Sequence, residues 1–459
     1  MRIKYLLMAL AALVVAAGGI LFYLSRPDVA RLPEEALEGR EPQFTEPRRQ
    51  IIPTVQIAKA VGWADGAAPV AAKGLKVNRF FAGLDHPRNL LLLPNGDVLV
   101  AETNSPPREV SGITSFVMKR LMGQAGADTP SPNRIALLRD ADGDGVAEEH
   151  HVLLEGLNSP QGMALVGDTL YVANTDSLMA YPYKPGDTRI TAPGRQIANL
   201  PANAPNMHWG RDLVASADGS KLYVAVGSNS NIAENGLDGE LNRANVLEID
   251  LKKGAVIIFA SGLRNPTALA WNPWNGDLWG VVNERDMLGS DLVPDYLTEV
   301  QFGAFYGWPW NYWGGYEDRR VSPARPDLRE YTRRPDYALG AHTAPVGLAF
   351  STGAMLGAPF DHGAYIGLHG SWNRKPAAGY KLVYVAFDAK GRPLGKPVDL
   401  LTGFLTDKGE AQGRPVDALV AQDGALLVSD DVGGIVWRIS NPAAAAKAPA
   451  LATPAESAR

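Results

Sequence analysis

The chain has 459 residues, no cysteine, and 44 lysines and arginines against 49 aspartates and glutamates, a net charge of −5. That balance argues against a nucleic-acid partner, which needs a basic face. The missing thiol excludes structural disulfides, thiol catalysis, zinc–thiolate centres and c-type haem attachment. With 48 Gly, 34 Pro, 15 Tyr and 10 Trp, the composition points to many short strands joined by turns.

Residues 5–24, YLLMALAALVVAAGGILFYL, carry no charge. A helix of this length reaches about 30 Å, the thickness of a bilayer's hydrocarbon core. Arg2 and Lys4 favour a cytoplasmic N-terminus. Residues 1–25 are therefore expected to be a transmembrane anchor, with a cleaved signal peptide as the alternative. FYLSRPDVA is a poor cleavage site. The remainder is expected in a bacterial periplasm, held at the inner membrane in the first case and soluble in the second. Residues 26–70, rich in Pro, Glu and Ala, read as a tether. Residues 441–459 read as a low-complexity, disordered tail.

Between these ends one phrase recurs. It appears as GLDHPRNLLLLPNGDVLVAETN (83–104), GLNSPQGMALVGDTLYVANT (156–175) and MHWGRDLVASADGSKLYVAVGS (207–228). It returns as GLRNPTALAWNPWNGDLWGVVN (262–283), HTAPVGLAFSTGAM leading to GAYIGLHG (342–370), and GRPVDALVAQDGALLVSDD (413–431). Each copy has a polar or Pro-containing lead, a short apolar strand, a Gly/Asp/Asn turn and a second strand. RIALLRD, NVLEID and KLVYVAFD supply further strands between the copies. Four strands per unit, six times over, predict an all-β, six-bladed β-propeller across 71–440; a β-sandwich array is the alternative.

If the first strand of each unit is innermost, the six leads converge on one mouth of the central channel. They carry His86, Arg88 and Asn89; Ser159 and Gln161; His208; Arg264 and Asn265; His342 and Thr343; and Arg414. Three arginines among them predict an anion-binding mouth.

Residues 105–132, with one helical stretch, form a long insertion after the first hairpin: a lid, a docking surface for an electron acceptor, or decoration. Asp140, Asp142 and Asp144 in RDADGDGVAEE have the spacing of a calcium loop. No Glu stands at loop position 12, which is His151, and Asp-Gly also serves ordinary hairpin turns. Trp308, Trp310, Tyr312 and Trp313 suit either a sugar-stacking wall or packing between blades.

SGLRNPTALAW, FGAFYGWPW, HGSWNR and DDVGGIVWRI resemble the soluble glucose/sorbosone dehydrogenases, quinoproteins that use pyrroloquinoline quinone (PQQ) on a six-bladed propeller. The resemblance covers roughly residues 75–440 of the sequence. It implies oxidation of a sugar or related aldose or polyol, with hydride passing to the quinone and electrons to an external quinone or cytochrome. His208 resembles the family's catalytic base, and an imidazole suits that role near neutral pH. Arg264 and Asn265 match its Arg-Asn pair, with Arg264 beside the quinone oxygens, where charge develops. Arg414 matches its C-terminal arginine pair, whose second member is Val416 here. Gln161 lies near a family glutamine, Arg374 is the candidate for a family lysine, and Ser228 stands where the family has Asp. Asn229 and Asn231 are candidates to fill that gap.

The resemblance also implies a cofactor Ca²⁺ held by backbone carbonyls. The matching positions are Glu284 and Arg285 in NERDMLGSD, with Glu284, Asp286 and Asp291 as candidate carboxylate ligands. Two other readings stay open. One is a metal-dependent lactone hydrolase, which needs carboxylates and Asn around an axial calcium. The other is a non-enzymatic propeller that binds carbohydrate or protein.

Overall fold

The computed structural model describes residues 2–24, 26–48, 53–107, 119–127 and 129–445. Six antiparallel four-stranded blades account for most of it. Blade 1 comprises Pro87–Leu92, Val98–Glu102, Arg134–Arg139 and Glu149–Leu154. Blade 2 comprises Met163–Val166, Thr169–Ala173, Ser177–Pro182 and Arg195–Asn199. Blade 3 comprises Leu213–Ala215, Lys221–Val226, Asn245–Asp250 and Val256–Ser261. Blade 4 comprises Pro266–Trp271, Leu278–Val282, Pro294–Glu299 and Tyr337–Ala341. Blade 5 comprises Pro345–Phe350, Gly363–Leu368, Lys381–Phe387 and Pro393–Thr402. Blade 6 comprises Pro415–Val420, Leu426–Asp430, Ile435–Ser440 and Lys76–Ala82. The strand following each lead is innermost, as the repeat predicts.

The second strand of a blade is buried on both faces. Val98–Glu102, Leu278–Val282 and Leu426–Asp430 are buried at every position. A sheet wet on one side would alternate; here a neighbouring blade covers each face, so the strand reads as a continuous apolar run. The turn before Val98 needs Gly96, whose φ of 91° lies in the left-handed region.

Lys76–Ala82 supplies the outermost strand of the sixth blade, pairing Ile435 with Ala82 and Ser440 with Lys76. The chain thus clasps its own beginning to its end. Without this strand the last blade would present a bare edge of unpaired backbone groups.

The tether expected at 26–70 is instead laid along the propeller where it is described. Glu38–Gly39 adds a fifth strand to blade 4 and Val70–Ala71 a fifth to blade 5. Between them Thr54 and Ala58 are buried. Trp63 donates its indole N–H to Asp430 at 2.7 Å and packs edge-on against Trp437.

The helix α1 (Arg2–Leu24) occupies the apolar N-terminal segment, and Leu13 and Val15 on it are exposed. A membrane-crossing helix takes about 20 apolar residues. Among the described residues no helix is long and apolar enough to cross a membrane, so the expected transmembrane helix is unsupported. Residues 119–124 of the 105–132 insertion are helical. Residues 108–118, and the tail from 446, lie outside the described residues.

Candidate active site at the channel mouth

Below the mouth, two buried carboxylates tie the innermost strands together. Asp212 accepts the backbone N–H of Leu269 at 2.6 Å and the Asn89 amide at 2.7 Å, joining blades 3, 4 and 1. Asp417 accepts the backbone N–H of Leu90 at 2.9 Å, joining blades 6 and 1. Burial pushes the Asp212 carboxyl up to about 6 and that of Asp417 up to about 8. These are structural acceptors for N–H groups that have no strand partner on the channel side.

Above them, blades 3, 4 and 5 build one half of the mouth. His208 places Nδ1 at 2.9 Å from both the carbonyl and the hydroxyl of Ser228. The Ser228 hydroxyl donates to the Ser230 carbonyl at 2.6 Å, so it accepts from the ring and Nδ1 carries the proton. Glu240 holds this loop, accepting from the Asn229 N–H and the Ser230 hydroxyl at 2.6 Å each. Asn265 and His208 both crowd Gly227: a Cβ there would collide with Asn265 Oδ1 and His208 Cβ. Glycine is required there to let blades 3 and 4 approach.

Arg264 is buried, and each of its five N–H groups has a partner. Nε donates to the Asn231 carbonyl at 3.1 Å; Nη1 donates to the carbonyls of Asn283 and Glu284 at 3.2 and 2.6 Å. Nη2 donates to Asn231 Oδ1 at 2.9 Å and Asp286 Oδ2 at 3.1 Å. The other oxygen of Asp286 lies 3.4 Å from His342 Nδ1, and His342 Nε2 lies 3.1 Å from the Gly289 carbonyl. An oxygen facing each nitrogen favours the protonated ring of His342. Burial is the largest single influence and opposes its charge, but the hydrogen bond and charge of Asp286, the charge of Asp295 and the Gly289 carbonyl together outweigh it and raise its pKa. Burial likewise pushes Asp286 up, and His342 and Arg264 more than reverse it, leaving the carboxyl below its usual range.

Blades 1, 5 and 6 build the other half. Asp431 accepts from Arg88 at 2.8 Å and lies 2.9 Å from His369 Nε2. Burial pushes the Asp431 carboxyl up, but His369 and Arg88 hold it well below the carboxylate range. Arg88 also lies over the Trp209 ring, 5.6 Å from its centroid, bridging the channel from blade 1 to blade 3. Arg414 stacks on Tyr380 and donates to the Ala58 carbonyl of the N-terminal segment at 3.1 Å. Arg88 Nε, Arg414 Nε and the Thr343 hydroxyl are buried without a protein partner.

The six leads therefore do converge, but the mouth is less bare than three arginines suggested. Arg88 and Arg264 each face a carboxylate that the repeat did not reveal, Asp431 and Asp286. Gln161 is buried and packs on Gly210 at the junction of blades 2 and 3. Several expected ligands are turned to other work. Asn229 accepts the Asn206 N–H at 2.7 Å and donates to the Ala204 carbonyl at 3.2 Å, fixing the loop before His208. Arg374 is buried, with Nε on the Ser290 carbonyl and Nη1 on the Pro376 carbonyl. Trp308, Tyr312 and Trp313 are buried, so packing accounts for these three; Trp310 is half-buried, donates to the Pro323 carbonyl and lies under Arg325.

The expected metal set is likewise committed. The Glu284 carboxylate pairs with Arg285 at 3.0 Å; Arg285 is wholly buried, its guanidinium spent on Glu284, Asp318 and the carbonyls of Pro309 and Asn311. Asp291 accepts from the Arg31 N–H and Arg48, both at 2.9 Å. Asp140, Asp142 and Asp144 do cluster, joined by Glu148 rather than His151. Their oxygens accept the N–H groups of Gly143, Asp144, Gly145 and Val146, as in an ordinary acidic turn.

Fold and site together define a six-bladed propeller with a polar, histidine- and arginine-lined mouth. The profile of the family described as TrAA12-like matches residues 69–295 and 327–442. The chain belongs to the TrAA12-like family. It is 23% identical over 428 residues to the pyrroloquinoline quinone-dependent sugar dehydrogenase of Hypocrea jecorina, spanning 82% of this chain and 90% of that one. A stretch of 129 residues is 35% identical to the pyrroloquinoline quinone-dependent pyranose dehydrogenase of Coprinopsis cinerea, but spans 24% of this chain and only 17% of that protein. The holo PQQ domain of the Coprinopsis cinerea pyranose dehydrogenase superposes with a TM-score of 0.66 at 21% identity, covering 84% of this chain and all of that domain (100%). At that identity the likeness is one of fold.

Proposed function

We propose that the chain is a PQQ-dependent dehydrogenase of a sugar or a related aldose or polyol. The observation that carries this reading is the set of partnerless donors at the mouth. Arg88 Nε, Arg414 Nε and the Thr343 hydroxyl are buried there with no protein acceptor. Leaving such donors unmet costs free energy, and a planar quinone with three carboxylates offers the acceptors they lack. The family and the names of its relatives point the same way.

When bound, PQQ supplies the two-electron acceptor for the hydride. His208 takes the proton from the substrate hydroxyl: Ser228 holds its Nδ1–H as donor, so the basic lone pair belongs to Nε2. Arg88 and Arg414, each with a buried donor left over, would hold carboxylates of the cofactor. An external quinone or cytochrome would take the electrons from the reduced cofactor. The chain has no cysteine for c-type haem attachment.

Residues 1–25 are read as the segment that directs the chain to the inner membrane and into the periplasm, because an uncharged stretch with exposed Leu13 and Val15 needs an apolar surrounding. Carbonate extraction of membranes tests this; recovery of the full-length chain in the soluble fraction refutes it.

The lactonase reading fares worse. Asn89, Asp212 and Asp417 sit on or next to the innermost strands, but Asp212 and Asp417 are committed to N–H donors, and among the described residues the only cluster of three or more acidic or histidine side chains close enough to share a metal is Asp140, Asp142, Asp144 and Glu148. The test of the main reading is a PQQ titration of the full-length chain by visible absorbance, followed by sugar-dependent dye reduction. Micromolar binding and turnover are expected; no binding refutes the quinoprotein reading.

A further inference from the structure

The oxygens around Arg264 form a cage. Three backbone carbonyls (Asn231, Asn283 and Glu284), the Asn231 side-chain oxygen and an Asp286 carboxylate oxygen all converge on one guanidinium. An all-oxygen set of this kind is what a calcium ion takes, usually with six to eight ligands. Here the occupant is a buried, permanently charged side chain. A second guanidinium lies alongside. Arg320 donates Nη1 to the carbonyls of Asp286 and Met287 at 2.9 and 3.3 Å, and is itself held by Asp318 at 2.7 Å. His342 closes the remaining side of Asp286.

A divalent ion entering this loop would therefore meet the Arg264 guanidinium inside the cage and the Arg320 guanidinium on the adjoining carbonyls, with Asp286 as the one carboxylate among the cage oxygens. The nearby carboxylates of Glu284 and Asp291 already face arginines. Coulomb repulsion in a buried site makes that arrangement unfavourable, so the residues present do not fit the calcium that the resemblance implied.

We propose that Arg264 is the built-in cation of this site, so that the mouth takes its anionic quinone cofactor without a divalent metal. The proposal rests on the PQQ reading for the identity of the anion, but the cage itself is testable without it.

Trp308 provides the probe. Its indole N–H donates to the same Asn231 carbonyl that receives Arg264 Nε, at 2.9 Å. A terbium ion in the cage would lie beside this indole and emit on tryptophan excitation. The full-length chain is used in a D140N/D142N background, which removes the exposed acidic turn as a competing site. No calcium-displaceable, Trp308-sensitised emission is expected from that protein. Arg264→Met empties the cage but keeps its oxygens, and is expected to gain such emission, abolished again by Trp308→Phe.

PQQ binding is then compared in Ca²⁺ and in EGTA, with the two dissociation constants expected within about twofold. Sensitised emission from the protein with Arg264 intact, lost in the Trp308→Phe variant, overturns the proposal. So does PQQ affinity more than about tenfold weaker in EGTA, or an Arg264→Met chain that folds yet takes no terbium. If Arg264→Met does not fold, the arms with Arg264 intact decide the question. PQQ binding in neither buffer refutes the quinoprotein reading instead, and terbium still decides the cage.

Discussion

Truncating Arg285 should unlock the loop that carries Glu284 and Asp286. Its guanidinium is fully buried between Glu284 at 3.0 Å and Asp318 at 3.4 Å, and those carboxylates are 1% exposed. In Arg285→Met the Glu284 carboxylate loses its counter-ion, and breaking a buried pair from one side costs about 3–5 kcal/mol. The carbonyls of Pro309 and Asn311, each 2.7 Å from the guanidinium, also lose their donor, at about 1–3 kcal/mol apiece. Asp318 keeps Arg320 at 2.7 Å and adds little. These costs overlap because one side chain makes all the contacts, so the expected total is about 4–6 kcal/mol. Urea unfolding followed by tryptophan fluorescence reads this as a lower midpoint at unchanged slope. Glu284→Gln in the same chain removes the stranded charge and should restore about 2 kcal/mol. A loss below about 1 kcal/mol, or a double variant no more stable than Arg285→Met, refutes the reasoning.

His208→Ala should lower sugar-dependent dye reduction by about 10²–10⁴-fold while PQQ absorbance and the thermal melt stay unchanged; unchanged turnover would remove His208 from the mechanism. Asp417 should make stability depend on pH. Its folded pKa of about 8 lies above the unfolded carboxylate value, so stability is greatest below pH about 4 and falls as pH rises toward 8. Asp417→Asn, which cannot ionise, should flatten this fall, by on the order of a few kcal/mol between pH 4 and 9. Parallel curves for the two proteins would refute a raised pKa. The D140N/D142N pair should leave turnover unchanged, since the cluster lies on an exposed turn of blade 1; a large loss would make it functional.

How much of this was legible in sequence depends on how local the signal is. The six strand pairs announce themselves because a doubly covered strand must be apolar throughout and its turn must carry Gly, Asn or Asp. The leads follow from the same period: each stands at the start of an innermost strand or just before it. Lys76–Ala82 looked like the start of the domain, yet it completes the last blade. Nothing within KVNRFFA encodes that; only closure of the ring creates the edge it fills. Residues 26–70 have a linker's composition; where they are described, strand pairing with blades 4 and 5 and packing of Trp63 on blade 6 hold them to the propeller.

The site divides the same way. Sequence supplied the residue types at each lead and the family they resemble. It could not supply their partners, because Asp431 lies 343 positions from Arg88 and Asp417 lies 327 from Leu90. One local sign was present: RDLV and VDALV each carry an aspartate at the start of an innermost strand, and these are Asp212 and Asp417. Whether an arginine at the mouth is free for a ligand or closed on carbonyls is a question of through-space distance. Arg264 and Arg374 are closed, while Arg88 and Arg414 each keep a donor unspent. The repeat alone determined a propeller with a charged mouth; burial and cross-blade pairing decided which charges remain for a ligand.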